Sequence, residues 1–377
     1  MDDELAMTAS ERLVRKEDLV SCDVAFIDCK LPGSTPKLNY SIVGAGVTQS
    51  AEQVVNIVEP HGFAIGVAAM PNGVTNNLHI HYTAEVFMIF RGEWLFRWGA
   101  DGTDGEIVGR AGDVISIPTW IFRGFTNVGP DDGWIFTALG RDESGGVIWH
   151  PTILRSAAEH GLYLKKNNMM VDVSTGAEEP ADDELMQPLS DEFIANLRRY
   201  SVNEMCQRLT TADERQWSSC ALLDSALPGH RAELAPAIGF GMAQDRDAAP
   251  KVTNPHGFTV EWMRIDPGNS VGPFRLQPKQ VLIVQQGAVE ITLGLQGSQS
   301  SATARPWDLF AMPADVWRTI RSVGDEPAVL TVTTAGDGRA LIEWDPAIVA
   351  AALEMGAGID PNGYIACADY LPFVEAA

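Results

Sequence analysis

Residues 73–92 read Gly73-Val-Thr-Asn-Asn-Leu-His79-Ile-His81-Tyr-Thr-Ala-Glu85-Val-Phe-Met-Ile-Phe-Arg-Gly92, and the rest of the chain is interpreted from them. Successive side chains of a β-strand point to opposite faces, so two histidines separated by one residue share a face. Glu85 and Phe87 share that parity, and three metal-ligand groups are expected to converge on one strand face. The flanking residues predict strand on both sides. Glu85 to Phe90 is rich in Val, Phe, Met and Ile, Arg91-Gly92 reads as a turn, and Trp94, Phe96 and Trp98 alternate along the next segment. Two neutral imidazoles with a carboxylate suit divalent iron, manganese, nickel or zinc.

Working outward, one separation recurs. Pro60-His61-Gly62-Phe63 returns as Pro255-His256-Gly257-Phe258, 195 residues later (255 − 60). The same interval relates Gly44 and Gly46 to Gly239 and Gly241, Gly92 to Gly287, Pro118 to Pro313, and Trp149 to Trp344. The chain is therefore a duplication of one β-rich unit. Short strands with turns at Asp101-Gly102, Asp104-Gly105 and Pro130 to Gly133 suit an antiparallel barrel or jelly roll. Each copy ends in a helix, Pro151 to Glu159 and Pro346 to Glu354, with proline at the start and glycine past the end. The expected fold is mainly β: two tandem antiparallel β-barrels with a few flanking helices. The expected division is 1–173 for the first barrel and its helix, 174–216 for a linker and helix, and 217–377 for the second barrel. Ser190 caps the expected linker helix, which carries Phe193, Ile194, Leu197 and Tyr200.

The spacing of Gly73, His79, His81, Glu85 and Gly92 resembles the first signature of the cupin superfamily, small jelly-roll (double-stranded β-helix) barrels that commonly hold a metal. Gly112, Pro118 and Asn127 are similar to the second signature, but Arg123 stands where that signature has a histidine. A guanidinium stays protonated and offers a metal no lone pair. The resemblance thus implies a bicupin with His79, His81 and Glu85 as metal ligands. In the second copy Phe274, Leu276 and Gln280 occupy the ligand positions, so no metal is expected there. Arg318 matches Arg123. Its retention admits two readings, a structural one in which both arginines pair carboxylates or carbonyls, and a catalytic one in which Arg123 holds an anionic substrate group.

With three protein ligands a metal keeps room for substrate and O₂, and the resemblance implies a metal-dependent oxidoreductase similar to the cupin dioxygenases. Fe(II) is the favoured ion, with Mn, Ni or Zn as alternatives, and the substrate is expected to be a small aromatic, flavonol-like or diketone compound. Glu85 and Arg123 are the candidate catalytic residues. The alternatives are a non-redox lyase, isomerase or decarboxylase, and a non-catalytic ligand-binding bicupin. His61 and His256 recur in both copies and are expected to be structural, and His150 is expected to cap a helix. Tyr82 is expected to face away from the metal.

A net charge of −23 over 377 residues argues against nucleic acid and against anionic membrane surfaces. The five cysteines have no C-x-x-C spacing, which argues against a disulfide framework or structural zinc. Met1 to Leu5 lacks the basic and apolar regions of a secretory leader, and a cytoplasmic protein is expected. The expected partner is a small-molecule substrate, and homo-oligomers stay open.

Overall fold

Strand Glu93–Trp98 shows how the sequence becomes architecture. Trp94, Phe96 and Trp98 are buried, while Glu93, Leu95 and Arg97 on the other face are half-buried. The apolar run Glu85–Arg91 is buried at every position except its last, as befits a strand covered on both faces. The structure, a computed structural model, describes residues 8–372. The leader reading of Met1 to Leu5 lies outside the described residues.

In the first unit, a five-stranded sheet runs in the order Val147–Trp149, Thr75–His81, Arg123–Asn127, Glu93–Trp98, Gly105–Arg110. A seven-stranded sheet faces it, with Leu209–Thr210 at one edge, followed by Val114–Ile117, Glu85–Arg91, Gly133–Gly140, Phe63–Met70, Leu38–Val43 and Val55–Ile57. Phe87 from one sheet meets Phe96 and Phe125 from the other, so the core lies between the sheets. The second unit repeats the plan with a six-stranded and a five-stranded sheet, and its core joins Leu282 and Val332 to Ile291 and Ile320. The two sheets of each unit stay separate, so the expected barrels take the form of jelly rolls.

The duplication extends to individual hydrogen bonds. Trp149 Nε1 donates to Gln49 at 3.2 Å, and Trp344 Nε1 donates to Gln244 at 3.1 Å. His61 and His256 each bond a carbonyl two residues back, and their backbone N–H groups donate to Asp142 and Asp337. Both histidines therefore hold the same turn, which fits the structural role expected of them. His150 and Asp345 cap the equivalent helices Pro151–Glu159 and Pro346–Glu354.

Three features differ from the sequence reading. The compact units comprise Leu19–Glu214 and, together, the segment ending at Asp18 with Arg215–Ala377. The leading segment thus joins the second unit: Leu13–Val14 pairs with Phe310 and Leu309. Symmetrically, Leu209–Thr210 completes a sheet of the first unit against Ile115 and Val114. The linker helix is shorter than expected. Ser190 does cap it, but it covers only Asp191–Ala195, and a separate helix, Val202–Cys206, starts at the capping box of Ser201 and Glu204. Finally, the 73–92 stretch is two strands in two different sheets, Thr75–His81 and Glu85–Arg91, separated at residues 82–84.

Candidate metal centre

That break corrects the parity argument. His79 and His81 do share a face, being two apart on Thr75–His81, but Glu85 reaches them from the opposing sheet. The three side chains converge because two sheets face each other. Their donor atoms all lie within 4.8 Å of one another, and among the described residues this is the one group of three or more such side chains. All three are nearly inaccessible, at 3%, 2% and 4% exposure. Tyr82, in the connecting turn, is 42% exposed and packs on Trp120, away from the site as expected.

Hydrogen bonds set which nitrogen each imidazole presents. His79 Nδ1 donates to Asn77 O at 2.6 Å, and His81 Nδ1 faces Gly146 O at 3.4 Å. Both rings therefore present Nε2, and His81 Nε2 stands 3.4 Å from Glu85 Oε1. Burial, reinforced by the Arg123 charge, pushes both histidines below their ordinary value, so both are neutral and have a lone pair for a metal. Burial alone would raise Glu85. The charge of Arg123 outweighs it and holds the carboxyl well below the usual range. Neutral imidazoles and an ionised carboxylate are the donor types that fit a divalent cation.

Arg123 is buried, and its donors are all directed inward. Nε and Nη2 both bond Glu85 Oε2, at 3.1 and 2.9 Å, while Nη1 bonds the carbonyls of His79 and Ile121. Pairing a carboxylate and capping carbonyls is the structural reading of this arginine. Arg123 fixes one Glu85 oxygen and leaves the other toward His81. Beneath His79, Lys37 bonds Asp28 and Asn76, and Asp28 accepts from the Asn77 backbone, which in turn carries the His79 contact. These supports are what keeps a ligand ring in one orientation.

The triad forms part of the wall of a partly open cavity within the first unit. Phe63–Met70 shapes it. Ala64, Gly66 and Ala68 face inward beside Thr137, Leu139 and Phe125, and their small size leaves the space. Trp149 lies against the His79 ring, with centroids 5.3 Å apart. Neither Asn39 nor Ser41 was legible as a site residue in the sequence, since strand polarity alone does not say which polar residue faces a void.

The second unit has filled the equivalent space. Thr259, Glu261 and Met263 replace Ala64, Gly66 and Ala68, and Phe274 sits on Trp344 at 5.6 Å as His79 sits on Trp149. Gln280, in place of Glu85, accepts from Arg318 at 3.1 Å. Asp101, Asp104 and Glu106 form no ligand cluster; Asp101 accepts from Thr103 within its turn, and Asp104 pairs with Arg199.

No family profile matches the sequence, and neither does any curated protein. Solved structures do match in fold. Oxalate decarboxylase from Lactobacillus farciminis, as its formate complex, is 12% identical, covers 90% of each chain and superposes with a TM-score of 0.55. Vicilin from Corylus avellana (hazelnut) is 11% identical over 89% of this chain and 88% of its own, with a TM-score of 0.52. The 7S globulin of Momordica charantia is also 11% identical, over 89% and 86%, with a TM-score of 0.52. At these identities the likeness is one of fold. Among the described residues no helix is long and apolar enough to cross a membrane. Two jelly rolls in tandem give this chain the fold of these two-domain structures, with an intact two-histidine, one-carboxylate cluster in its first unit.

Proposed function

We propose that the first unit is a mononuclear metal-dependent enzyme, and that it acts as a dioxygenase on a small substrate bound through oxygen. The observation that carries this reading is the convergence of His79, His81 and Glu85, within 4.8 Å, on the wall of an open cavity. A structural role alone does not call for two neutral imidazoles and an ionised carboxylate on one buried surface. A divalent ion held there would supply Lewis acidity toward substrate oxygens and, if redox-active, reactivity with O₂.

The chain's own contributions follow from the geometry. His79 and His81 hold Nε2 unprotonated because Nδ1 is engaged by backbone carbonyls. Arg123 keeps Glu85 ionised and aims Oε1 into the site, where it serves as ligand or accepts a substrate proton. The apolar walls, including Phe125, Leu139 and Trp149, limit water around the reacting atoms.

A second reading, a decarboxylase without net oxidation, draws on the fold likeness to oxalate decarboxylase. The test is elemental analysis of the purified chain beside a His79→Ala, His81→Ala variant, followed by O₂-uptake assays. One equivalent of iron, lost in the variant, with substrate-dependent O₂ uptake is the expected result. Manganese, nickel or zinc with turnover but no O₂ uptake would favour the decarboxylase. No metal in either protein after reconstitution would sink both.

A further inference from the structure

Resting on that metal-enzyme reading, we propose that the site selects a substrate whose end remote from the metal is uncharged and carries an acceptor oxygen, with Asn39 as the residue that reads that oxygen. Compounds with a second ionic group beyond the chelating head bind more weakly.

Asn39 is the first support. It stands opposite Ala68 in the antiparallel pair of Leu38–Val43 with Phe63–Met70, so its side chain shares the inward face. It is more than nine-tenths buried, it lines the cavity, and its Nδ2 has no hydrogen-bond partner. A buried amide donor left unpaired is costly, and a ligand oxygen in the cavity is the group able to satisfy it.

The second support is the charge of the walls. Among the described residues lining the cavity there is no lysine or arginine. The cations closest in the network are engaged: Arg123 with Glu85 and two carbonyls, and Lys37 with Asp28 and Asn76. A carboxylate reaching past the metal would lose its hydration and meet neutral polar groups, Asn39, Ser41, Thr48, Gln53 and Thr137 among them, and apolar surface, with no cation to pair it. The chain's net charge of −23 also disfavours the approach of anions.

The third support is the second unit, which serves as an internal comparison. Where it has lost the metal ligands it has also replaced Asn39 by Leu234, Ser41 by Pro236 and Thr137 by Val332, and has filled the Ala68 position with Met263. Those three polar positions and the ligand set are lost together, while Glu261 at the Gly66 position fills the space.

The matched probes are kojic acid and comenic acid, which share a hydroxypyranone chelating head and differ remotely, with a hydroxymethyl group in one and a carboxylate in the other. Binding of each to the full, metal-loaded chain is measured by calorimetry, with metal content determined on the same samples. Kojic acid is expected to bind about tenfold or more tightly than comenic acid. Asn39→Leu is expected to weaken kojic acid by roughly five- to tenfold, the effect of one lost hydrogen bond, with metal content unchanged. Ala68→Met is expected to abolish binding and likewise keep the metal. Equal or tighter binding of comenic acid to the native chain overturns the proposal without touching the metal reading, and so does an Asn39→Leu chain that binds kojic acid as the native one does. A native chain that takes up no metal overturns both.

Discussion

Glu85 and Arg123 form a buried pair, and the consequence of removing one partner depends on what is left behind. Arg123→Met would leave the buried Glu85 carboxylate without its cation, with two carbonyls unserved. Breaking such a pair costs about 3–5 kcal/mol, so denaturant unfolding of the first unit should move by that amount and metal affinity should fall with it. Arg318 in the second unit has no carboxylate partner in its hydrogen bonds: its donors go to Gln280 Oε1, Val316 O and Pro313 O, and burial pushes its pKa down to about 9. Arg318→Met is therefore expected to cost less than Arg123→Met, because no buried charge is stranded. An equal loss in the two variants, measured in parallel denaturation curves, would show that the carbonyl contacts rather than the ion pair dominate. At this scale the sequence identified the triad by residue type and spacing. It left the partner of Arg123 undecided between carboxylate and substrate, because a partner 38 residues away has no local signature.

At the scale of single strands, the change from Phe63–Met70 to Phe258–Ile265 turns a cavity into a core, and it carries a titratable group inside. Glu261 replaces Gly66, is fully buried, and accepts one hydrogen bond, from Met242 N at 3.0 Å. Gly241 is required beside it, since its φ is +56° and an added Cβ would lie 2.3 Å from the Glu261 carboxyl carbon. Burial raises the Glu261 pKa from the ordinary 4.5 to about 8. Between those values the folded chain holds a proton that the unfolded chain has released, so this group's contribution to stability falls as pH rises from about 4.5 to 8. Glu261→Gln, neutral at every pH, is expected to flatten that slope, and melting temperatures of the native and variant chains across the window check it. A variant with the native slope would place the titration elsewhere. The strands themselves were legible, since alternation in Glu93–Trp98 and the apolar run of Glu85–Arg91 are local patterns. The interruption at residues 82–84 was not, because one continuous strand and two strands in facing sheets give the same local alternation.

For the molecule as a whole, the exchange of leading segments governs which parts fold together. Leu13–Val14 extends a sheet of the second unit, Arg12 is buried there, and Lys16 N donates to Asp308. Deleting residues 1–18 would bare the edge at Leu309–Met312 and leave its backbone groups without partners. Amide exchange at Leu309–Met312 is expected to accelerate markedly in the truncated chain, while the metal content carried by residues 19–214 stays near the native level. Protection unchanged at that strand would mean the segment contributes no stability. The sequence by itself determined the duplication, the β-rich class, the triad and its loss in the second copy, because repeats, period-two alternation and ligand spacing are all written along the chain. Only the tertiary structure decided that Glu85 meets the histidines from an opposing sheet, that Arg123 serves Glu85, that Asn39 faces a void, and that each leading segment belongs to the other repeat's fold. Those facts depend on which surfaces face each other across tens or hundreds of residues, and no local pattern of residues records that.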